Sequence, residues 1–266
     1  MSGGNARAAG GIPAFLVAGL LAGVVRYWGA LLLVVAWQLW VLVQGYNAIV
    51  LPTPHGVLSD LVVNFDAYLP HIVATLTSAL VGLCIGAVLG ALCAGACWFT
   101  PMLDGLLSPA IVVLRSIPIV ATIPIVARLC GYDASTVLVI TVMLVFFPVF
   151  VFCASGLRDY SAASADLFRS IGCTARWRLF VLLAVPAAVP HFATALRVAA
   201  PACVLAALVA EFLMGTQGLG YVMMRARSEM MMERSWGAAL VATVLSVLLY
   251  NLAVQVETRV RRRWEA

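Results

Sequence analysis

Long apolar runs recur along the whole chain and are separated by short polar stretches. Because an α-helix needs about 20 apolar residues to cross a hydrocarbon core roughly 30 Å thick, runs near this length are candidate membrane spans. The candidates are Tyr27–Gln44, Ile72–Phe99, Pro109–Leu129, Ser135–Ala154, Phe192–Val209 and Trp236–Val256. The pattern predicts an all-α, polytopic membrane protein with about six transmembrane helices.

Composition excludes a water-soluble fold. Hydrophobic residues make up 64% of the 266 residues and charged residues only 10%, whereas soluble domains contain about 45–50% apolar and about 25% charged residues. No polar block is long enough to fold separately, so we expect a single transmembrane domain over residues 27–256. A basic cytoplasmic tail is expected over residues 257–266.

The residues before the first span contain a shorter apolar run. Ile12–Val25 resembles the apolar core of a signal peptide in length, but no soluble domain follows it. We therefore expect residues 1–26 to form a cytoplasmic or interfacial segment. The run is either a helix at the membrane surface or an extension of the first span that is interrupted by Arg26.

The distribution of arginine predicts the orientation of the chain. Short cytoplasmic loops are enriched in basic residues, and an even number of spans places both termini on one side of the membrane. With both termini in the cytoplasm, all sixteen arginines lie at or near that face except Arg128, Arg225, Arg227 and Arg234. The expected location is the bacterial cytoplasmic membrane, with cytoplasmic N and C termini.

The sequence lacks residues that several classes of enzyme need. It contains no lysine, which excludes the phosphate-binding lysine of a P-loop and Schiff-base catalysis on this chain. Its three histidines are scattered, and its seven cysteines lie mostly in apolar runs without zinc-ligand spacing. We expect no catalytic, cofactor or metal site, so any ATP that drives the protein binds another chain.

The longest polar interruption on the predicted cytoplasmic face is Leu157–Pro190, which we interpret as two short helices. Asp159 can accept hydrogen bonds at the start of the first helix, and Gly172 can end it in a left-handed conformation. Small and apolar residues form a ridge along this helix, namely Tyr160, Ala163, Ser164, Leu167, Phe168 and Ile171. The ridge needs a cover, which is either the protein's own spans or the groove of a partner.

The second short helix of this loop is expected over Arg176–Ala184. It contains Trp177, and Pro186 and Pro190 follow it. Because proline removes a hydrogen bond from the interior of a helix, we expect the next span to begin at these prolines.

In the second span, Gly82, Gly86 and Gly90 recur every four residues. We expect this small-residue seam to pack spans against each other within the subunit.

A charge and two prolines in the third span identify candidates for a transport pathway. Arg115 lies close to the membrane, where a guanidinium must face protein, water or the cytoplasmic interface. Pro118 and Pro124 leave backbone carbonyls without their helical hydrogen bond, and neighbouring groups or a water-filled cavity must supply donors to them. The third span is therefore our first candidate for lining a pore.

Glu211 is the remaining candidate in the membrane domain. It ends the fifth span just before the glycine-rich turn Met214–Gly220. We expect Glu211 either to pair with Arg225 or Arg227 or to form part of an external gate. The spacing of the glycines differs from the dinucleotide-binding fingerprint, so nucleotide binding at this turn is excluded.

Four segments of the chain carry a family resemblance. They are Leu51–Pro54 after the first span, Leu114–Pro118 with Pro124 in the third, Arg176–Phe180 in the loop, and Glu211 with Gly218–Tyr221. In this order they resemble the permease subunits of type I ABC importers, and in particular the branch for sulfonates, taurine and nitrate. Each segment alone is a weak signal, whereas the ordered set is specific and covers most of the chain from Val50 onward.

The cytoplasmic loop also resembles the motif of that family, in which Glu-Ala-Ala is followed after three residues by Gly and later by Leu-Pro. Gly172 matches the glycine, Asp166 replaces the glutamate, and Leu167 and Phe168 replace the alanines. Fourteen positions separate Gly172 from Pro186, one more than is usual in the family. The resemblance implies contact with an ATPase through Ala163, Asp166, Leu167, Phe168, Ile171, Gly172 and Arg176.

The resemblance further implies an assembly of several chains. This chain and a second permease copy, expected as a homodimer, would form the path for a small anionic or polar organic solute. Two ATPase subunits, which carry ATP and Mg²⁺, would act through a coupling helix at about Ser161–Ile171. A periplasmic or lipid-anchored binding protein would deliver the solute. Membrane lipid is the remaining expected partner, and nucleic acid is not expected.

Two other classes of function compete with this hypothesis. A stand-alone secondary transporter or channel should show paired halves or ionisable sites within the membrane. The sequence shows no internal repeat and few acidic residues in its spans. A membrane enzyme would require an intramembrane cluster of His, Asp or Glu, and the sequence shows none. The importer permease is therefore the leading hypothesis, with the stand-alone transporter as the alternative.

Overall fold

A computed structural model describes residues 28–29, 32–173 and 175–264, so the predicted segment 1–26 lies outside the described residues. The described residues form helices joined by turns and contain no strand. The helices are α1 Leu32–Gln44, α2 Pro54–Val63, α3 Phe65–Phe99, α4 Pro101–Arg115, α5 Ile119–Cys130, α6 Ala134–Gly156, α7 Ala162–Ser170, α8 Arg176–Leu179, α9 Val185–Met214, α10 Leu219–Ser228 and α11 Met232–Trp264. The all-α fold class predicted from the sequence is thereby confirmed.

Four helical segments are long and apolar enough to cross a membrane alone: α3, α6, α11 and the continuous run Arg176–Met214. They coincide with four of the predicted spans, and all extend beyond the predicted limits. The pair α4 and α5 counts as one further crossing if its bend is included. The first predicted span is represented by α1, whose expected start at Tyr27 lies outside the described residues.

The third predicted span is formed by two helices rather than by one straight helix. The chain bends by 105° between α4 and α5. Pro118 explains the position of the bend, because it has no N–H to donate and disfavours helical geometry in the residue before it. Pro118 becomes the N-cap residue of α5, with extended backbone angles of φ −60° and ψ 117°.

The helix of the fifth span begins earlier than predicted. We expected a break at Pro186 and Pro190, but the helical run is continuous from Arg176 to Met214. A π-helical turn, Phe180–Ala184, lies just before Pro186, and Val185 N–H donates to the carbonyl of Phe180 five residues earlier. This wider turn accommodates the missing donor and the ring of Pro186 without ending the helix.

The core lies where α3, α6 and α9 meet. Its buried residues include nine alanines and cysteines of α9 and α3 that allow the helices to approach closely, namely Ala79, Ala87, Ala94, Cys97, Ala195, Ala199, Cys203, Ala207 and Ala210. From α6 the core receives larger side chains such as Ile140, Val145 and Val149. Small residues on α3 and α9 face larger residues on α6, so the three helices pack closely. Close packing is needed because lipid provides no hydrophobic driving force for helices to associate.

The glycine seam of α3 packs against α6, as predicted. A Cβ at Gly86 would lie 2.8 Å from the carbonyl oxygen of Val142 and 2.8 Å from the Cβ of Val145. A Cβ at Gly90 would lie 3.0 Å from the carbonyl oxygen of Phe146. The neighbouring atoms include helix backbone, which cannot move aside as a flexible side chain can, so the seam fixes the separation of α3 and α6.

Replacing Gly86 with alanine is therefore expected to destabilise the protein, because overpacking of a closely packed interface costs about 1–3 kcal/mol. Gly105 provides a matched control, since it lies in α4 and a Cβ there would meet nothing within 4 Å. Gly105→Ala should leave stability unchanged or raise it by about 0.4–1 kcal/mol. Thermal unfolding in detergent measures both effects, and equal responses of the two variants would contradict the packing role of the seam.

The basic C-terminal segment is not a separate tail. Helix α11 continues to Trp264, so residues 257–264 are its last turns, and residues 265–266 lie outside the described residues. Glu257 explains this continuation, because it is only 3% exposed and lies against α9. It pairs with Arg197 at 3.1 Å and accepts a hydrogen bond from Thr194 at 2.8 Å. These contacts fasten the end of α11 to α9.

Candidate functional site

Helix α7 occupies the predicted cytoplasmic loop, but its N-cap is not the predicted residue. Ser161 caps the helix, and its hydroxyl accepts from Ser164 N–H at 3.0 Å. Asp159 lies before the cap and pairs instead with His191 at 3.3 Å. The serine is favoured because Ser161 has the extended backbone of an N-cap residue, with φ −67° and ψ 146°. Gly172 follows the helix with φ +76°, as the sequence predicted.

The ridge of α7 is largely uncovered within the chain. No residue of the helix is buried, and Leu167 is 60% exposed. Ile171, just after the helix, is 69% exposed, whereas Phe168 is half-buried. Ala163 and Asp166 are exposed, and Asp166 pairs with Arg169 on the same helix at 3.0 Å. The protein's own spans cover only part of this ridge, through Tyr160 against the core and the half-buried Phe168, and Leu167 and Ile171 leave an apolar surface at one end of the molecule.

The segment after α7 is attached to the end of α3. Arg176 donates from Nη1 to the carbonyl oxygen of Phe99 at 3.2 Å. The ring of Trp177 stacks on that of Phe99, with centroids 6.1 Å apart and an interplanar angle of 16°. Phe180 completes the aromatic cluster at 4.7 Å from the Phe99 ring. Arg176, which the family resemblance assigned to the ATPase contact, is thus also engaged within the chain.

The pathway candidates of the third span lie on both sides of the bend. Arg115 ends α4, Pro118 caps α5, and Pro124 lies inside α5. All three are exposed in the single chain. Helix α5 is held by Ile123 and Ala127, which are completely buried against the rest of the chain. The bend therefore places a charged residue and two prolines on a face that the chain does not cover.

Glu211 does not pair with arginine, and that expectation is wrong. Its side chain is 2% exposed, and Oε2 accepts hydrogen bonds from Thr75 Oγ1 at 2.8 Å and from Gly220 N–H at 3.1 Å. Arg225, one of the two expected partners, pairs with Glu229 at 2.8 Å. Arg225 lies on an exposed face of α10, away from the carboxylate, because Val222 and Ala226 occupy the buried face of that helix.

The glycine-rich turn after α9 closes around Glu211. Gly218 has φ +106°, a conformation that glycine adopts without strain, and a Cβ there would collide with the Glu211 carboxylate. A Cβ at Gly220 would lie 2.6 Å from Phe212 N. The turn is also bound to α3, because Gly218 N–H donates to His71 Nδ1 at 3.1 Å. Ser78, Thr216 and Gln217 line a small pocket beside the carboxylate. The turn is thus held in one conformation by backbone donors.

Sequence reasoning missed the residues that complete these sites. Thr75 was one polar residue within an apolar run, yet it accepts from Leu219 N–H at 2.8 Å while donating to Glu211. Its position within a predicted span, near the start of Ile72–Phe99, was the only available signal. A polar residue in a span requires a partner, but the partner lies 136 positions away along the chain.

Among the described residues, no three His, Cys, Asp or Glu side chains are grouped as metal ligands.

A second missed cluster joins α2, α3 and α11 at the end of the molecule that is opposite α7 along α3. Asp60 accepts from Tyr68 Oη at 2.5 Å and from Asn64 Nδ2 at 2.8 Å. Arg234 approaches Asp60 at 3.5 Å. A Cβ at Gly237 would lie 2.6 Å from the Tyr68 hydroxyl, so this glycine allows α11 to approach α3 closely. The cluster fixes α2 against the start of α3.

The chain matches known transport proteins over most of its length. Residues 82–262 match the family described as binding-protein-dependent transport system inner membrane component. A probable ABC transporter permease protein of Haemophilus influenzae is 29% identical, over 84% of this chain and 89% of that protein. The formylaminopyrimidine transport permease protein ThiX of Halalkalibacterium halodurans is 33% identical, over 72% and 76%.

A third relative belongs to the branch that the sequence motifs indicated. The putative aliphatic sulfonates transport permease protein SsuC of Escherichia coli is 28% identical, over 87% of this chain and 88% of that protein. The matched region contains the core helices α6 and α9, the loop with α7, and the Glu211 turn. With its apolar helices, the chain is a multi-pass inner-membrane protein. It belongs to the family of binding-protein-dependent inner membrane components, the permease subunits of type I ABC importers.

Proposed function

We propose that this chain forms half of the translocation pathway of an ATP-driven importer and is coupled to a separate ATPase through α7. The observation that carries the proposal is the exposed apolar ridge of α7, in which Leu167 and Ile171 are 60% and 69% exposed. Apolar side chains that project from one end of a membrane protein, beyond its spans, require a protein partner to remove them from water. An amphipathic helix docked in a groove satisfies this requirement.

The ATPase contact is proposed to comprise residues of α7 and the turn after it. The residues proposed for the contact are Ala163, Asp166, Leu167, Phe168, Ile171 and Gly172, all exposed except the half-buried Phe168. The chain supplies no lysine for nucleotide binding, so ATP and Mg²⁺ are proposed to bind to the partner. Two ATPase subunits follow if two permease copies assemble, because each copy presents one α7.

The proposed orientation places α7 and the end of α11 in the cytoplasm. Arg197 and Arg261 lie near Glu257, in the part of α9 and α11 that leads toward α7. Arg169 lies in the last turn of α7, and Arg158, Arg176 and Arg178 flank the helix. A positive cytoplasmic face is the usual arrangement in inner-membrane proteins. The N and C termini are proposed to lie on this side, and the Glu211 turn on the outer side.

The proposed pathway needs a second permease copy. In the single chain, Arg115, Pro118 and Pro124 lie exposed around the bend between α4 and α5. A guanidinium and proline-freed carbonyls at membrane depth are tolerated where they line a water-filled space between protein surfaces. Two such faces from a homodimer would enclose this space. The Glu211 turn is proposed to act as a rigid outer element of the gate.

The proposed cargo is a small polar or anionic organic solute, delivered by a binding protein. The family description names binding-protein dependence, and the matched relatives are named for an aliphatic sulfonate and a formylaminopyrimidine. Taurine and nitrate belong to the same proposed class. Arg115 is the charged candidate at the bend of the proposed pathway, and its positive charge favours an anion.

The test is co-purification of the tagged permease in detergent with the ATPase encoded beside it. Leu167→Arg and Phe168→Asp place a charge on the ridge and are expected to abolish the complex, because a buried unpaired charge is strongly unfavourable at an apolar contact. Ala162→Arg is the matched control, since Ala162 is also exposed on α7 but lies away from Leu167 around the helix. This control should retain the ATPase.

Two results would contradict the proposal. If the wild-type permease binds no ATPase, the stand-alone transporter becomes the better hypothesis. If both ridge variants bind as the wild type does, α7 is not the docking helix. Size-exclusion profiles of each permease variant without the ATPase establish that loss of binding does not reflect loss of folding.

A further inference from the structure

The two ends of the segment that carries α7 are tied to the same place in the chain. Before α7, Arg158 Nη2 pairs with Asp104 Oδ2 at 2.9 Å. After α7, Arg176 Nη1 donates to the carbonyl oxygen of Phe99 at 3.2 Å. Both acceptors lie in residues 99–104, where α3 ends and α4 begins, and we refer to these residues as the α3–α4 corner. The corner thus receives one contact from each side of α7.

The tie after α7 is reinforced by aromatic packing. Trp177 stacks on Phe99, and Phe180 contacts both Phe99 and Trp98, with ring centroids 4.7 and 5.2 Å away. Aromatic pairs in such geometries contribute beyond their buried area. Helix α8 and the end of α3 are therefore one packed unit.

The electrostatics of the corner suit both ties. The last carbonyls of α3 have no partner within the helix and carry the partial negative charge of its dipole, which a guanidinium such as that of Arg176 can satisfy. Asp104 lies in the first turn of α4, where a carboxylate is favourable, and it also accepts from Ser108 Oγ at 2.8 Å. Arg158 thus meets an aspartate that is already held in place.

The corner leads directly into the proposed pathway. Helix α4 runs from Pro101 to Arg115 and is followed by the bend and α5. Helix α7 itself has no buried residue, so its firm connections to the rest of the chain are at its two ends. Before α7, Asp159 also pairs with His191 of α9 at 3.3 Å. A movement of α7 that keeps the two ties to the corner displaces the corner and, with it, the start of α4.

On the basis of the proposed function, we propose that the α3–α4 corner receives the movement of α7 through Arg158–Asp104 and Arg176–Phe99 with Trp177, and transmits it to the bend at Ser116–Pro118. Arg158, Asp104, Arg176 and Trp177 are positioning residues in this scheme, since the contacts that the scheme uses lie within the permease. Their loss uncouples the pathway from the ATPase while leaving the two proteins bound to each other.

The experiment uses the full permease with its ATPase in lipid nanodiscs and needs no identified solute. A cysteine introduced as Val120→Cys, on the exposed start of α5, reports the state of the bend through its rate of maleimide modification. Mass spectrometry measures each modified cysteine separately, so the native cysteines need not be removed. The rate is compared without nucleotide and after trapping with ATP and vanadate. Trapping is expected to change the wild-type rate by about fivefold, a usual size for coupling between sites.

The variants Arg158→Gln and Trp177→Ala are expected to bind the ATPase as the wild type does but to lose this nucleotide-dependent change. Asp104→Arg combined with Arg158→Asp should restore it, because the reversed pair can form the same contact. Arg178→Gln is the control, since Arg178 lies on the same short helix and no ion pair is formed by it among the described residues. Trp177→Phe keeps a ring for stacking and should behave as the wild type.

The outcomes separate this inference from the proposed function. A wild-type permease that does not bind the ATPase overturns both. If the complex forms and the reporter responds in Arg158→Gln and Trp177→Ala as it does in the wild type, the proposed function stands and the role of the corner is refuted. A loss of response in Arg178→Gln, or a failure of the reversed pair to restore it, also refutes a specific role of these contacts.

Discussion

Replacement of Glu211 with leucine is expected to lower the midpoint of thermal unfolding of the purified permease by on the order of 10 °C. The carboxylate Oε2 is the acceptor for both Thr75 Oγ1 and Gly220 N–H. Leucine has similar volume but no acceptor, so two buried donors would lose their partner. Each buried donor left without a partner costs about 1–3 kcal/mol, and the two together are expected to cost about 3 kcal/mol.

Glutamine at the same position provides the matched control. Both hydrogen bonds end on one oxygen of Glu211, so the amide oxygen of Glu211→Gln can accept both. This variant should unfold close to the wild-type temperature. Any loss of transport in it would then show that transport needs an ionisable carboxyl group at position 211, and not only an oxygen that accepts hydrogen bonds. A Glu211→Gln variant as unstable as Glu211→Leu would show that the negative charge, and not hydrogen bonding, holds the turn.

The second large effect is expected at Glu257, where α11 meets α9. Replacement by methionine leaves Arg197 facing an apolar contact without its partner at 3.1 Å, and Arg261 loses its partner at 3.3 Å. Breaking a buried ion pair from one side costs about 3–5 kcal/mol. We expect about 3 kcal/mol here, because the Arg197 side chain remains 39% exposed and keeps part of its hydration. Thermal unfolding in detergent measures the loss.

Removal of both charges tests this explanation. Arg197→Met combined with Glu257→Met removes the closer ion pair. Arg261 is half-exposed and keeps its hydrogen bond to Thr194 Oγ1 at 3.2 Å, and Thr194 keeps its own bond to the Pro190 carbonyl oxygen at 3.1 Å. Replacement of a buried pair by apolar residues is often neutral, so the double variant should unfold within about 1 kcal/mol of the wild type. If the double variant is as unstable as Glu257→Met, the cost arises from packing at this position rather than from an unpaired arginine.

The glycine-rich turn shows how far local sequence signals reach. Its composition predicted a turn after the fifth span, and the structure confirms this turn. The sequence suggested an arginine as the partner of Glu211, because an opposite charge nearby in the chain is the simplest compensation for a buried carboxylate. The actual partners are a hydroxyl on α3 and a backbone N–H, and only the packing of α3 against the turn brings them together.

The prolines show a similar limit. Pro118 and Pro186 were both expected to affect helices, yet the chain bends by 105° next to the first and continues through the second. The difference lies in the neighbouring structure. A π-helical turn before Pro186 absorbs the missing hydrogen bond, whereas the residues before Pro118 end α4 and place α5 in a new direction. A local rule identifies where a helix is weakened, but not how the chain responds.

The sequence by itself determined the membrane location, the helical class, the positions of the main spans, the glycine seam of α3 and the family. All but the family follow from local composition and periodicity, because the lipid core requires long apolar helices whatever their partners are. The family follows from the resemblance of four ordered segments to known permeases. Tertiary structure alone decided the direction of α5 after Pro118, the donors to Glu211, the burial of Glu257 and the two ties that join α7 to the α3–α4 corner. Each depends on atoms that are far apart along the chain, and the geometry that brings them together exists only after the helices have packed.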